Sequence, residues 1–208
     1  MAPPPVPHFS DALVVLDFFG IGVFAVSGAL LAAEKRQTLV TFIFFAVITG
    51  VGGGTLRDLL IGAPVFWVHT NATLLICIGA ALAVWAVRTR RVSGQALDWF
   101  DAAGLSAYAS YGSAKALGYG VAPVPAFAMG VLTACVGGIV RDVLAGEPSI
   151  LMRPELYVTA AALAAGLFVG LTLLGAPMWT AAAIAALAGF ALRGLAIARG
   201  WKLPAYRD

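Results

Sequence analysis

The stretch Val51-Gly52-Gly53-Gly54-Thr55-Leu56-Arg57-Asp58 decides the fold, because a related stretch returns later in the chain as Cys135-Val136-Gly137-Gly138-Ile139-Val140-Arg141-Asp142. In both stretches a glycine cluster interrupts a long apolar run, and an Arg-Asp pair follows it. Glycine is costly inside a helix, and a charged residue at membrane depth is costly too and usually marks a functional site. Because this energetically unfavourable arrangement occurs twice in the chain, we infer that it serves a function.

The composition is that of an integral membrane protein. Of the 208 residues, 61% are hydrophobic and only 11% are charged, whereas soluble domains carry about a quarter charged residues. The apolar runs approach the ~20 residues that cross a bilayer as a helix, and they lack the alternation of barrel strands. The net charge of +3 is not arranged in a basic stripe with interleaved aromatics, so nucleic acid is not an expected partner.

Seven apolar runs follow one another, and superposing residue n on residue n+84 aligns the first three with the next three without a gap. Asp17 then falls on Asp101, and Pro64 falls on Pro148. The chain therefore contains a duplicated three-span unit with a seventh span added. The predicted divisions are an N-terminal segment 1–12, a first repeat 13–92, a second repeat 97–174, a seventh helix 177–198 and a tail 199–208.

The odd number of spans in each unit sets their relative orientation. The second unit enters the membrane from the opposite side, so the repeats are inverted about an axis in the membrane plane, as in many transporters. We therefore predict an all-α membrane protein with seven transmembrane helices, arranged as two inverted three-helix repeats plus one. We also predict that helices two and five are broken at their glycines, in preference to close packing alone. The predicted break residues are Gly52, Gly53, Gly54, Gly137 and Gly138.

Lysine and arginine are distributed unequally between the two sides of the membrane. The segments after spans one, three, five and seven carry basic residues, whereas the N-terminus and the other loops carry none. By the positive-inside rule the N-terminus lies outside and the C-terminus is cytoplasmic, in a cell (inner) membrane. The basic residues are Lys35, Arg36, Arg88, Arg90, Arg91, Arg153, Arg199, Lys202 and Arg207.

Charged residues within the spans are expected to form pairs. The inverted topology places Asp17 at the depth of Arg57 on the outer side, and Asp101 at the depth of Arg141 on the inner side. Neighbouring residues on a helix point apart, so we expect partners on other helices. The alternative is that the arginines extend to the interface. The candidate pairs are Arg57 with Asp17 or Asp58, and Arg141 with Asp101 or Asp142.

The fourth span carries a polar sector. Its serines recur at i, i+4 and i+7, and two tyrosines and Lys115 lie on an adjoining face. This sector could line water, although serines in membranes also form bonds between helices. Lys115 stands where the first repeat has Leu31, so the two repeats are not equivalent there. The candidate pore-lining or gating residues are Ser27, Thr49, Ser106, Ser110, Tyr111, Ser113, Lys115 and Thr133.

An enzyme is not indicated by the motifs. The sequence has no Ser-His or Cys-His pairing at a plausible depth, no His-Glu-x-x-His and no phosphate-binding loop. Cys77 and Cys135 lie in apolar runs and are interpreted as small buried hydrophobes. We therefore expect no catalytic residues, no metal site and no cofactor.

Seven spans with glycine clusters in the second and fifth, each followed by an Arg-Asp pair, resemble the trimeric intracellular cation (TRIC) channel family, especially its prokaryotic members. The resemblance covers about Leu13 to Ala198. It implies a homotrimer with a pore inside each subunit, lined by spans one, two, four and five, that passes monovalent cations. It also implies that Lys115 helps to block the pore. Animal members carry a lysine-bearing motif near the second-span glycines, which Gly53-Gly54-Thr55-Leu56 lacks.

The expected function is therefore a potassium channel, with further copies of the chain, membrane lipid and monovalent cations as partners. The alternative is a secondary transporter of a small zwitterion such as glycine. The bacterial domain is also associated with glycine transport, and inverted repeats suit alternating access equally well.

Overall fold

The computed structural model describes residues 11–87 and 94–204, and this part of the chain is all-helical apart from its connections. The helices are α1 (Asp11–Glu34), α2 (Leu39–Leu60), α3 (Asn71–Ala86), α4 (Gly94–Gly118), α5 (Pro123–Leu144), α6 (Val158–Leu173) and α7 (Met178–Arg199), with a 3-10 turn at Ile150–Met152. The predicted all-α fold with seven helices is confirmed. Residues 1–10 of the predicted N-terminal segment, together with Arg88, Arg90, Arg91 and Arg207, lie outside the described residues.

Within residues 11–87 and 94–204, four helices, α1, α2, α5 and α7, are long and apolar enough to cross a membrane. Each has an 18-residue window with a mean hydropathy of 1.8 or more. The helices α3 and α6 are also apolar but have 16 residues each, and α4 has 25 residues and carries the polar sector. This is the pattern of a multi-pass membrane protein.

The packing follows the internal duplication. α3 packs against α1 and α2, and α6 packs in the same way against α4 and α5. The repeats meet where α1 contacts α4 and where α2 contacts α5. The added helix α7 covers α4 and α6. Four helices, α1, α2, α4 and α5, therefore surround the centre of the subunit.

The duplication extends to the turns that end α2 and α5. Gly62 and Gly146 have φ angles of 68° and 69°, in the left-handed region that glycine adopts without steric cost. The next residue in each repeat donates its N–H to an aspartate carbonyl, at 2.9 Å from Ala63 to Asp58 and at 3.0 Å from Glu147 to Asp142. The two loops consequently leave their helices with the same geometry.

The predicted breaks in helices two and five are wrong. Both α2 and α5 continue as uninterrupted α-helices through their glycine clusters. The glycines instead allow the two helices to cross closely: a Cβ at Gly53 would overlap the carbonyl oxygen of Thr133, and one at Gly137 would overlap that of Thr49. Close backbone approach is the usual role of small residues between membrane helices, and it accounts for the glycines without a break.

Candidate functional site

Two buried arginines lie in the last turns of α2 and α5, the helices that cross at the centre. Arg57 and Arg141 are each only 1% exposed, so neither extends to the interface. Each binds the aspartate that follows it, with Nε 2.9 Å from Oδ1 in both Arg57–Asp58 and Arg141–Asp142. The expectation that these neighbours point apart is wrong, because an arginine side chain is long enough to fold back onto the adjacent carboxylate.

The second oxygen of each aspartate holds the loop after its helix. Asp58 Oδ2 accepts the N–H of Phe66 at 3.1 Å, and Asp142 Oδ2 accepts that of Ile150 at 3.0 Å. Phe66 and Ile150 are themselves equivalent positions of the two repeats. The repeated unit is therefore an arginine, an aspartate and a loop N–H. Sequence reasoning missed the loop contact, although the matched Gly-x-Pro spacing after both pairs was the signal for it.

The cluster around Arg141, here called the inner cluster, joins three helices. Arg141 Nη1 lies 2.7 Å from Asp101 Oδ1 and 3.0 Å from Ser27 Oγ. Ser27 can accept this bond because its hydroxyl donates to the Phe24 carbonyl at 2.9 Å. The structure thus brings Arg141 together with both of its predicted carboxylate partners, from α4 and α5, and with a predicted pore hydroxyl of α1.

The cluster around Arg57, here called the outer cluster, has a second cation. Lys115 Nζ lies 2.8 Å from Asp58 Oδ2, and the Arg57 guanidinium carbon lies 5.2 Å from the centroid of the Tyr111 ring. Asp17 forms no direct ion pair with Arg57, but it lies within electrostatic range of both cations. Tyr111 and Ser27 are equivalent positions of the two repeats, so each arginine contacts the other repeat at the same place.

The charge balance of the two clusters differs. The outer cluster has two carboxylates and two cations, whereas the inner cluster has two carboxylates and one cation. The difference is Lys115, which is 5% exposed and has Leu31 as its counterpart. The ends of the crossing helices are therefore related in geometry but unequal in charge.

The predicted hydroxyl residues divide into two groups. Thr49 and Thr133 lie at the helix crossing, where each donates to the carbonyl four residues earlier, Phe45 at 2.7 Å and Met129 at 2.5 Å. Both are 1% exposed. Their backbones are the ones that contact the opposing glycines, so they mark the point where α2 and α5 approach most closely.

The serines of α4 contact neighbouring helices or the backbone of α4 itself. Ser106 lies beside Gly189 of α7, and Ser113 lies beside Gly130 of α5. Ser110 donates to the Ser106 carbonyl at 3.3 Å and is fully buried. The structure therefore brings Tyr111 and Lys115 to the outer cluster, but it places Ser106 and Ser113 in contacts between helices.

A comparison of the chain with known protein families detects the same duplication. The family model described as "Glycine transporter" matches residues 14–89 and 98–172, which are the two repeats. The chain belongs to this family. It is the family of the TRIC channels and of the UPF0126 membrane proteins, so the resemblance inferred from the sequence is confirmed.

The chain is similar to bacterial membrane proteins of known sequence. A UPF0126 membrane protein of Vibrio cholerae is 43% identical over 154 residues, which are 73% of this chain and 64% of that protein. The chain thus spans slightly less than two thirds of that relative. The UPF0126 inner membrane protein YadS of Escherichia coli K12 is 40% identical over 148 residues, 70% of this chain and 72% of that protein. This family membership supports the multi-pass membrane assignment.

The solved relatives are TRIC channels. The orthologue from Rhodobacter sphaeroides is 42% identical and superposes with a TM-score of 0.89, over 92% of this chain and all of that one. A prokaryotic TRIC channel crystallised in 0.5 M KCl is 28% identical with a TM-score of 0.85, over 92% of this chain and 98% of that one. These relatives are ion channels and not enzymes, in agreement with the absence of catalytic motifs.

Proposed function

We propose that the protein is a potassium-conducting cation channel, with a pore inside each subunit of a homotrimer. The observation that carries this proposal is the 42% identity and TM-score of 0.89 to a TRIC channel orthologue, sustained over nearly the whole chain. At this level of similarity the helix arrangement and the site that depends on it are expected to be shared.

The geometry suggests a path for the ion. In this proposal cations move between α1, α2, α4 and α5, past the outer cluster, the helix crossing and the inner cluster. The crossing is closed here, because Gly53 and Gly137 are in contact with the opposing backbones. Conduction then requires α2 and α5 to separate. We assign Ser27, Thr49, Tyr111 and Thr133 to the lining, and Ser110 behind them, while Ser106 and Ser113 serve helix packing.

Lys115 is proposed to restrict the outer end of this path. A fixed positive charge beside a narrow pore repels cations, and the low dielectric of the surrounding protein strengthens that repulsion. In the structure Lys115 is held by Asp58, which also binds Arg57. A change in this three-residue contact would therefore alter both the charge at the entrance and the position of α4 relative to α2.

We further propose that the protein lies in the inner membrane with the basic segments in the cytoplasm, the N-terminus outside and lipid around its exposed apolar faces. Lys35, Arg36, Arg153 and Lys202 are described residues on the basic side, and all four are exposed. Their charge would be stabilised by anionic head groups and by the membrane potential.

The alternative is a secondary transporter of a small zwitterion such as glycine. The description of the matching family model favours it, and inverted repeats that meet at mid-membrane are common in carriers. A channel and a carrier differ in the current of a single molecule, because an open pore passes many ions for each conformational change.

Purified full-length protein in a planar bilayer under a potassium gradient tests the proposal. A channel gives discrete unitary currents that reverse near the potassium equilibrium potential, and Lys115→Met changes their amplitude or open probability, which shows that this protein carries them. Currents that are absent while labelled glycine exchanges into proteoliposomes would establish the carrier. Cross-linking in the membrane tests the trimer separately.

A further inference from the structure

A cleft of about 160 Å³ opens at the C-terminal end of α7, and its lining includes neither Arg57 nor Arg141. It forms where the start of α4, the segment before α6 and the residues after α7 meet. Because α7 belongs to neither repeat, the cleft has no counterpart in the duplication. Its lining comprises Gln95, Asp98, Glu155, Arg193, Ala196, Ile197, Gly200, Trp201 and Lys202.

Arg193 forms the buried wall of this cleft. It is 1% exposed, its Nη2 lies 2.6 Å from Glu155 Oε2, and its guanidinium carbon lies 5.5 Å from the centroid of the Tyr157 ring. Its Nε is buried and has no hydrogen-bond partner among residues 11–87 and 94–204. A buried donor without a partner costs free energy, and an acceptor bound in the cleft would recover it. Sequence reasoning missed Arg193, although an arginine inside the last apolar run was a signal.

The other charged side chains of the cleft, Asp98 and Lys202, are of opposite sign. Glu155 is engaged by Arg193, whereas Asp98 and Lys202 form no hydrogen bond or ion pair through their side chains with another described residue. The backbone of Lys202 is fixed, because Lys202 bridges to Glu155 and the following residue, Leu203, donates its N–H to Pro154 at 2.8 Å. The cleft thus offers one carboxylate and one ammonium group, and the residue with the buried, unpartnered N–H, Arg193, is part of its wall.

We propose that this cleft binds a small zwitterion, with the ligand's ammonium group at Asp98 and its anionic group at Lys202 and Arg193 Nε. A site for a simple ion would present charges of a single sign, whereas this cleft presents both. Pockets for drug-sized ligands measure about 300–1,000 Å³, so this cleft suits a small ligand or the charged end of a larger one. Two sources carry this chemistry: a free amino acid, and the phosphoethanolamine head group of a lipid.

The test measures binding to the full-length protein in detergent by calorimetry, without transport. The probes are glycine, glycerophosphoethanolamine and, as single-charge controls, ethylammonium and acetate. We expect saturable binding of at least one zwitterion, and binding about tenfold weaker or worse for the single-charge probes. Binding of glycine indicates a soluble ligand, whereas binding of glycerophosphoethanolamine alone indicates a lipid head group.

Three variants locate the site. Asp98→Asn and Lys202→Gln each remove one free charge and are expected to weaken binding about tenfold, whereas Glu34→Gln removes an exposed carboxylate elsewhere and leaves it unchanged. Lys202 is exposed, so its variant tests the site even where Asp98→Asn lowers the yield of folded protein. The proposal is overturned by no saturable binding of either zwitterion, or by wild-type binding in both variants, which would place the ligand elsewhere, for example at a transport site.

Discussion

Phe24 and Tyr108 stack on each other with ring centroids 5.4 Å apart and planes inclined by 24°. They occupy the same position in the two repeats. A residue contacts its own counterpart only where it lies close to the axis that relates the repeats. The pseudo-two-fold axis therefore passes between these two rings, where α1 meets α4.

The helix crossing near this axis should tolerate no side chain at its glycines. Gly53→Ala would press a methyl group against the Thr133 carbonyl, and we expect overpacking to destabilise the fold by about 1–3 kcal/mol. Gly79→Ala is the matched control, because a Cβ there meets nothing within 4 Å and alanine favours a helix by roughly 0.5–1 kcal/mol. Thermal unfolding in detergent measures the melting temperature of both variants. A melting temperature of Gly53→Ala equal to or above that of Gly79→Ala would contradict the close crossing.

Arg57 and Arg141 should differ in their dependence on the carboxylate of the preceding span. Asp101→Asn removes a direct partner 2.7 Å from Arg141, and loss of one member of a buried pair costs about 3–5 kcal/mol. Asp17→Asn removes a longer-range attraction to Arg57 and leaves Arg57 paired with Asp58, and an asparagine oxygen can still accept the tyrosine hydroxyls that Asp17 binds, so we expect a smaller loss. Chemical denaturation of both variants measures this, and an equal or larger loss for Asp17→Asn would show that Asp17 is the principal partner of Arg57.

Neutralising Lys115 should increase cation flow through the proposed pore. Lys115→Met keeps most of the side-chain volume but removes the positive charge, while Asp58 remains paired with Arg57. We expect a larger unitary current or open probability than in the wild type, and Lys115→Arg, which keeps the charge, should stay near it. Single-channel recording distinguishes them, and identical currents in all three proteins would remove Lys115 from the ion path.

The proposed orientation can be tested with single cysteines. Gln37→Cys lies after α1 on the basic side, and His69→Cys lies before α3 on the opposite side; both positions are exposed. The native Cys77 and Cys135 are buried and should give little background. An impermeant thiol reagent should label position 69 in intact cells and position 37 only in inside-out vesicles. The reverse pattern would invert the topology.

The salt bridge between Lys35 and Glu147 should make a small contribution that depends on pH. Lys35 lowers the pKa of the Glu147 carboxyl below its ordinary value of 4.5, through a hydrogen bond and charge attraction. A carboxyl whose pKa is lower in the folded state stabilises the fold above the unfolded value and loses this as the pH falls through the folded value.

Glu147→Gln should therefore melt slightly below the wild type at neutral pH, and the difference should vanish in acid. The pair is exposed, so the effect is small and should also decrease in high salt. Melting temperatures measured across pH at two salt concentrations provide the comparison. A difference that persists well below pH 4.5 would mean that the ion pair is not its source.

The constant offset between the two repeats predicted much of the fold, because duplicated sequences keep equivalent geometry. The offset made Arg57 equivalent to Arg141, and it identified Lys115 as a position where the two repeats differ. It could not predict that both helices remain continuous. The low helix propensity of glycine is a local property, whereas the close approach of the opposing backbone depends on the tertiary structure. Similarly, the spacing of the α4 serines places them on one face, but periodicity does not reveal which neighbour that face contacts.

The Leu31–Lys115 difference has an electrical consequence. In the pore that we propose, the two entrances are built from equivalent positions of the two repeats, but one has an additional positive charge. Cations that arrive from opposite sides then meet unequal barriers, so inward and outward currents at equal and opposite voltages will differ. One substitution after the duplication would thus have been enough to turn a symmetric conductor into a rectifier.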